Sequence, residues 1–206
     1  MNQLDHPANR IAIFGRSGSG KTTWCAQYAA NHRSARKFFF DPEGEFARRF
    51  GVSPARTPEQ LDAALARGWV CYDPSAHYAG QEVEALEYFC HWVSAVCEQL
   101  GGTKLLVIDE FQEFVSAGRT GRWLGHVLKR GRRRGIDVIT CGQAPCECGT
   151  QLRRQITTVV AYNFTESADV DWLADYGFDA DKVRSLPQFH RIIRDCWGRE
   201  KTERGQ

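Results

Sequence analysis

The segment Gly15-Arg16-Ser17-Gly18-Ser19-Gly20-Lys21-Thr22 fits the pattern G-x-x-x-x-G-K-[ST] in full, and no other stretch restricts the fold of this chain so strongly. The apolar run Ile11-Ala12-Ile13-Phe14 before it reads as a short buried strand, and Thr22 to Ala30 after it reads as a helix. Glycines at 15, 18 and 20 let the backbone turn its N–H groups inward around phosphate oxygens. The helix N-terminus at Lys21 adds partial positive charge at the same place. In such a loop Lys21 reaches the β- and γ-phosphates of ATP and Thr22 gives its hydroxyl to Mg²⁺. Gly15 to Thr22, together with Thr23, is the expected nucleotide site.

What the nucleotide drives must be sought in the rest of the chain. With 206 residues, 42% of them hydrophobic, the chain is long enough for one well-covered globular domain over 1–206, with 1–9 and 198–206 expected to be flexible. A net charge of +2 is nearly balanced, so attraction to a polyanion must come from local clusters of charge. No segment is apolar enough to suggest a leader or a membrane span, which makes a reduced cytoplasmic compartment the expectation. The eight cysteines then read as small buried hydrophobes. Cys141, Cys146 and Cys148 are spaced C-x4-C-x-C with no fourth ligand nearby, which favours core or loop positions over a metal cluster.

Strand and helix patterns alternate along the chain. Phe38-Phe39-Phe40 reads as a strand running into Asp41-Pro42-Glu43-Gly44, which places Asp41 and Glu43 at a strand's carboxyl end. There they either face a ligand or, for Asp41, cap a helix from Glu43 to Phe50. Helices are expected from Pro58 to about Gly68 and from Gly80 to Leu100, with the strand Trp69 to Tyr72 between them. Leu105-Leu106-Val107-Ile108 is an unbroken apolar run, as in a strand buried on both faces, and it ends in Asp109-Glu110. Behind a phosphate loop, Asp109 suits the Mg²⁺ shell and Glu110 the polarisation of a water aimed at the γ-phosphate.

A helix is expected from Trp123 to Arg134, ending in Lys129, Arg130, Arg132, Arg133 and Arg134, more cations than a helix C-terminus needs. They serve a solvated face, a neighbouring subunit's nucleotide, or nucleic-acid phosphates. Ile136 to Cys141 reads as a strand that leads through Gly142 to Gln143, where the amide can bond the γ-phosphate or the attacking water. Further strands are expected at Thr157 to Tyr162 and Arg191 to Asp195, and a helix at Asp169 to Tyr176.

Together these features resemble the RecA-type branch of P-loop ATPases, an α/β fold with a mostly parallel central sheet flanked by helices. The segments Phe40 to Glu45, Val107 to Phe111 and Arg132 to Pro145 resemble, more narrowly, the HerA–FtsK superfamily of DNA-pumping motors. The last segment is the most specific, because arginine, Gly-Ile, an apolar strand and Gln-x-Pro follow one another in the family's order. The chain departs from that pattern in having Cys141 and Gly142 before the glutamine. Small motors of this kind are similar to the genome-packaging ATPases of icosahedral viruses with an internal membrane, and to the motor domain of Zot-like phage proteins.

The resemblance implies a pentameric or hexameric homo-oligomeric ring with each nucleotide completed by an arginine of the neighbouring subunit. Matching the spacing to Gly135 singles out Arg132 as that finger, with Arg130 and Arg134 as alternatives. It also implies double-stranded DNA as substrate, gripped by Arg119, Arg122, Arg153 and Arg154, and capsid or portal-vertex proteins as partners in the host cytoplasm or virion. A Zot-like assembly or secretion ATPase and a P-loop nucleotide or small-molecule kinase are the competing readings. A kinase would need an acceptor lid and does not usually place a glutamate directly after the Mg²⁺ aspartate.

Overall fold

The computed structural model describes residues 9–114 and 121–205. Its order begins β1 (Arg10–Phe14), α1 (Lys21–Asn31), β2 (Arg36–Phe40), α2 (Glu45–Phe50), α3 (Pro58–Leu65), β3 (Trp69–Tyr72), α4 (Ser75–Tyr78), α5 (Glu82–Gln99) and β4 (Lys104–Ile108). It continues with α6 (Arg122–Arg130), β5 (Ile136–Gly142), α7 (Thr150–Arg153), β6 (Thr158–Ala161), α8 (Ser167–Asp175), α9 (Ala180–Arg184), β7 (His190–Asp195) and β8 (Glu200–Arg204). One eight-stranded sheet carries the fold, in the order β3-β2-β4-β5-β1-β6-β7-β8. β3 to β6 in that order are parallel, and β7 and β8 are antiparallel additions at one edge.

Alternation along the strands divides the core into two layers. Ala12, Phe14, Phe38, Phe40, Leu106 and Ile108 pack on the face covered by α3, α5, α6 and α8. Ile11, Ile13, Phe39, Leu105 and Val107 pack on the other face against Cys25, Ala26 and Ala29 of α1 and Phe46 of α2. Both sides of β4 are thus buried, which is why its sequence is apolar without interruption. The expected α/β architecture is the one observed.

Three local features depart from the sequence reading. The helix expected to run from Trp123 to Arg134 stops at Arg130, and Gly131–Arg134 tighten into a 3₁₀ turn closed by Gly135 at φ 67°. Arg10, buried at the start of β1, holds that turn in place by donating to the carbonyls of Ile136 (2.7 Å) and Leu128 (3.3 Å). The tail from Gly198, expected to be mobile, instead contributes β8, paired with β7 over Glu200–Arg204. α4 and α9, of four and five residues, have no counterpart in the sequence reading.

Candidate nucleotide site

The parallel strands bring three loops to one end of the sheet. β5 lies between β1, which leads into the phosphate loop, and β4, which ends at the carboxylate pair. Gly142 ends β5 and its carbonyl accepts the N–H of Gly15 at 3.2 Å.

Within the loop, Gly18 and Gly20 have φ of 73° and 98°, a left-handed backbone that side chains oppose. A Cβ at Gly15 would lie 2.5 Å from Ser19 Oγ and 2.9 Å from Tyr162 Cβ. Tyr162 also donates its hydroxyl to the Gly20 carbonyl at 3.2 Å, so β6 braces the loop from the side away from β5. Lys21 is buried at the first position of α1, and its Nζ donates to the Arg16 carbonyl at 3.2 Å. Ser19 Oγ is buried with no hydrogen-bond partner among the described residues, an orphan that a phosphate oxygen would satisfy. The hydroxyls of Thr22 and Thr23 make no side-chain hydrogen bond among the described residues, and both are half-buried in the first turn of α1. The guanidinium of Arg16 points elsewhere, donating to Thr165 Oγ1 at 2.6 Å.

At the end of β4, burial first, and then repulsion from Glu110 and Glu45, push the Asp109 carboxyl up to about 7. A backbone N–H from Glu110 (3.1 Å) and the charge of Lys21 work in the opposite direction. A hydroxyl at Thr22 and a crowded carboxylate at Asp109 are the donors Mg²⁺ takes from a protein when phosphates and water fill its other positions. No group of three acidic, histidine or cysteine side chains suited to a metal occurs among the described residues. Cys141 and Cys148 are buried and Cys146 is exposed, all as free thiols.

Glu110 adopts φ 43°, one of two non-glycine residues with positive φ among those described. Its carboxylate is held at both oxygens. Gln143 Nε2 donates to Oε1 at 3.1 Å, and Gln112 Nε2 donates to Oε2 at 2.7 Å. Gln112 is the site residue that the sequence reading missed. It sits in a 3₁₀ turn (Phe111–Phe114) directly after the carboxylate pair, and no motif spacing marks it.

Asp41 is a cap: its two carboxylate oxygens accept the N–H groups of Phe46 (3.2 Å) and Ala47 (2.8 Å) at the start of α2. Burial nonetheless raises its pKa, against those bonds.

A cleft of about 290 Å³ opens beside the loop, between Arg16–Ser19 and the turn Pro187–His190. A groove of about 660 Å³ runs along α1 past Trp24, Tyr28 and His32, but it reaches Asp137 and Thr158 at the amino ends of the strands, away from the phosphate loop. The first of these two clefts is therefore contiguous with the cradle.

The arginines fall into separate environments. Arg132 is exposed and forms no side-chain hydrogen bond or ion pair among the described residues. It precedes β5 whereas Gln143 follows it, so the seven-residue strand holds Arg132 about 20 Å from the phosphate-loop end of the sheet. Arg134 is engaged with Glu98, Ser94 and His126. Arg153 pairs with Asp175 at 3.1 Å and lies over the Trp172 ring, while Arg154 and Arg122 are exposed. Arg119 lies outside the described residues.

Residues 4–147 match the family described as an AAA domain. No curated protein sequence matches the chain. Among solved structures, the genome packaging NTPase B204 of Sulfolobus turreted icosahedral virus 2, bound to AMP, superposes with a TM-score of 0.77 at 19% identity, covering 98% of this chain and 99% of that one. The DNA-packaging ATPase B204 of Sulfolobus turreted icosahedral virus gives 0.74 at 20% identity over 98% and 100% of the two chains. The N-terminal domain of zonular occludens toxin from Neisseria meningitidis gives 0.53 at 14% identity over 98% and 96%. At these identities the likeness is one of fold.

Proposed function

Because the chain belongs to the AAA-domain family of P-loop NTPases, we propose that it is a Mg²⁺-dependent ATPase that drives double-stranded DNA through a ring of its own copies, in the manner of a viral genome-packaging motor. The observation that carries this reading is the pairing of Gln143 with Glu110 at the phosphate-loop end of the sheet while Arg132 stands free at the opposite end. One subunit then holds a complete cradle and a base, and presents its arginine only to a neighbour.

In this reading the loop N–H groups and Lys21 hold the triphosphate, and the Lys21 amine exchanges the Arg16 carbonyl for phosphate oxygens. Thr22 and Asp109 would hold Mg²⁺, which would supply positive charge to offset that of the triphosphate. Glu110 takes the proton of the attacking water, Gln143 turns to the γ-phosphate, and Arg132 of the adjacent copy stabilises the charge that develops in the transition state. The base and ribose lie in the cleft beside Phe189 and Asn163, on the side of the loop away from the carboxylates. Arg122 and Arg154 grip phosphates without reading sequence. Arg153, tied to Asp175, has the weaker claim on that role. The packaging setting, with capsid or portal proteins as partners, rests on the fold shared with the B204 proteins. No described helix is long and apolar enough to cross a membrane.

The test is ATP hydrolysis with and without DNA of unrelated sequences, followed together with the oligomeric state. The proposal expects DNA of any sequence to raise turnover, salt to reduce that stimulation steeply, and active material to be a ring. A monomer whose turnover ignores both DNA and salt would overturn it, and phosphoryl transfer to a nucleoside would favour the kinase reading.

A further inference from the structure

We propose that Gln112 is a positioning residue that holds the Glu110 carboxylate and the Gln143 loop as one unit, so that Gln143 frees a carboxylate oxygen only when it turns to the γ-phosphate. This rests on the reading of Glu110 as the base.

Three hydrogen bonds close a circuit between the ends of β4 and β5. Gln112 Nε2 donates to Glu110 Oε2 at 2.7 Å, Gln143 Nε2 donates to Glu110 Oε1 at 3.1 Å, and the Gln143 backbone N–H donates to Gln112 Oε1 at 3.2 Å. A neutral amide suits the middle place, because it donates to a carboxylate with one end and accepts an N–H with the other. Gly142 makes the circuit possible: a Cβ there would sit 2.6 Å from Gln112 Oε1. At the opposite side of the circuit Glu110 holds φ 43°, a conformation that persists only where its surroundings over-determine it.

Each oxygen of the Glu110 carboxylate therefore accepts one N–H, and departure of a donor opens a further lone pair of that oxygen to a water. The two partners differ. The Gln143 side chain is exposed, whereas Gln112 is half-buried and seated against Gly142. Gln143 is the partner free to leave, and Gln112 keeps the carboxylate in place as it does. The freed Oε1 then accepts the water proton while the water oxygen bonds to the γ-phosphorus and the bond from that phosphorus to the β–γ bridging oxygen breaks. Arrival of a γ-phosphate and release of the base become a single event.

The experiment measures kcat for ATP hydrolysis, equilibrium nucleotide affinity and melting temperature for the full chain and for Gln112→Leu, Gly142→Ala, Gln143→Leu and the Gln112→Leu/Gln143→Leu double variant. Gln112→Leu and Gly142→Ala should each lower kcat about 10²-fold, as a misplaced reacting group does. Nucleotide affinity and melting temperature should stay at the starting values, a split that general loss of structure would not give. The double variant should lose less than the product of the two single losses, because both act on one circuit. Unchanged or raised kcat in both Gln112→Leu and Gly142→Ala, equal losses of kcat and affinity, or fully multiplicative losses would overturn the proposal. A starting chain with no hydrolysis at all overturns the underlying reading together with this one, whereas normal turnover in both variants overturns this one alone.

Discussion

The N–H of Gly15 donates to the carbonyl of Gly142 across 3.2 Å, which fastens the first residue of the phosphate loop to the strand end that carries Gln143. The cradle and the loop that carries Gln143 are thereby one piece of backbone structure, and a disturbance at Gly15 reaches both.

Gly15→Ala should weaken nucleotide binding by at least an order of magnitude. Its methyl group would meet Ser19 Oγ at 2.5 Å and Tyr162 Cβ at 2.9 Å, and the second neighbour belongs to a buried ring braced against the loop. Titration with a fluorescent ATP analogue checks this, and an affinity equal to the parent chain's would contradict it.

Asp109 gives a pH signature. The folded chain holds its proton up to about 7, whereas the ordinary value is 3.8, so between these limits the folded state binds a proton that the unfolded state has released. The contribution of this group to stability therefore falls as pH rises through that window. Asp109→Asn should stabilise the nucleotide-free chain at pH 8 by on the order of 1–3 kcal/mol and leave it nearly unchanged at pH 4. Thermal unfolding at the two pH values measures the difference.

Glu110→Gln should lower turnover by about 10²–10⁴-fold, the range for a lost general base, while nucleotide still binds. Arg132→Ala should be as inactive when assayed alone. Mixing the two variants is the decisive assay: interfaces that join an intact Glu110 to an intact Arg132 should recover part of the activity. Mixed rings that stay as inactive as either variant would place Arg132 outside the neighbour's site.

Arg10→Met should destabilise the fold by about 2–4 kcal/mol, since it strands buried carbonyls at Ile136 and Leu128. Burial lowers the pKa of this arginine to about 10, against the charge of Asp137, which favours the cation. Denaturant unfolding checks the magnitude.

Much of this was legible in the sequence, and what was not has physical causes. Glycine spacing and apolar strands announced the cradle and Asp109-Glu110, because phosphate binding and two-faced burial each demand a restricted set of residues. Gln112 carried no such mark: an exposed glutamine and one that bridges two strand ends look identical until the strands are placed side by side. The role of Arg153 was hidden likewise, since its partners Asp175 and Trp172 come from another helix. β8 escaped because Glu200-Lys201-Thr202-Glu203-Arg204 has no apolar alternation. Its place is held by the backbone ladder to β7 and by charge pairs such as Arg191 with Glu203 at 2.9 Å.

That same charged strand decides how copies of this molecule can meet. An open sheet offers two rows of unpaired backbone groups, each a template for indefinite edge-to-edge growth. Here β8 ends one side with alternating acids and bases, and on the other side Ala55 bridges to Tyr72 and takes up backbone groups beside β3. With both margins blunted, strand addition is discouraged as a route to self-association, and any contact between copies falls to side-chain surfaces instead of the sheet's backbone.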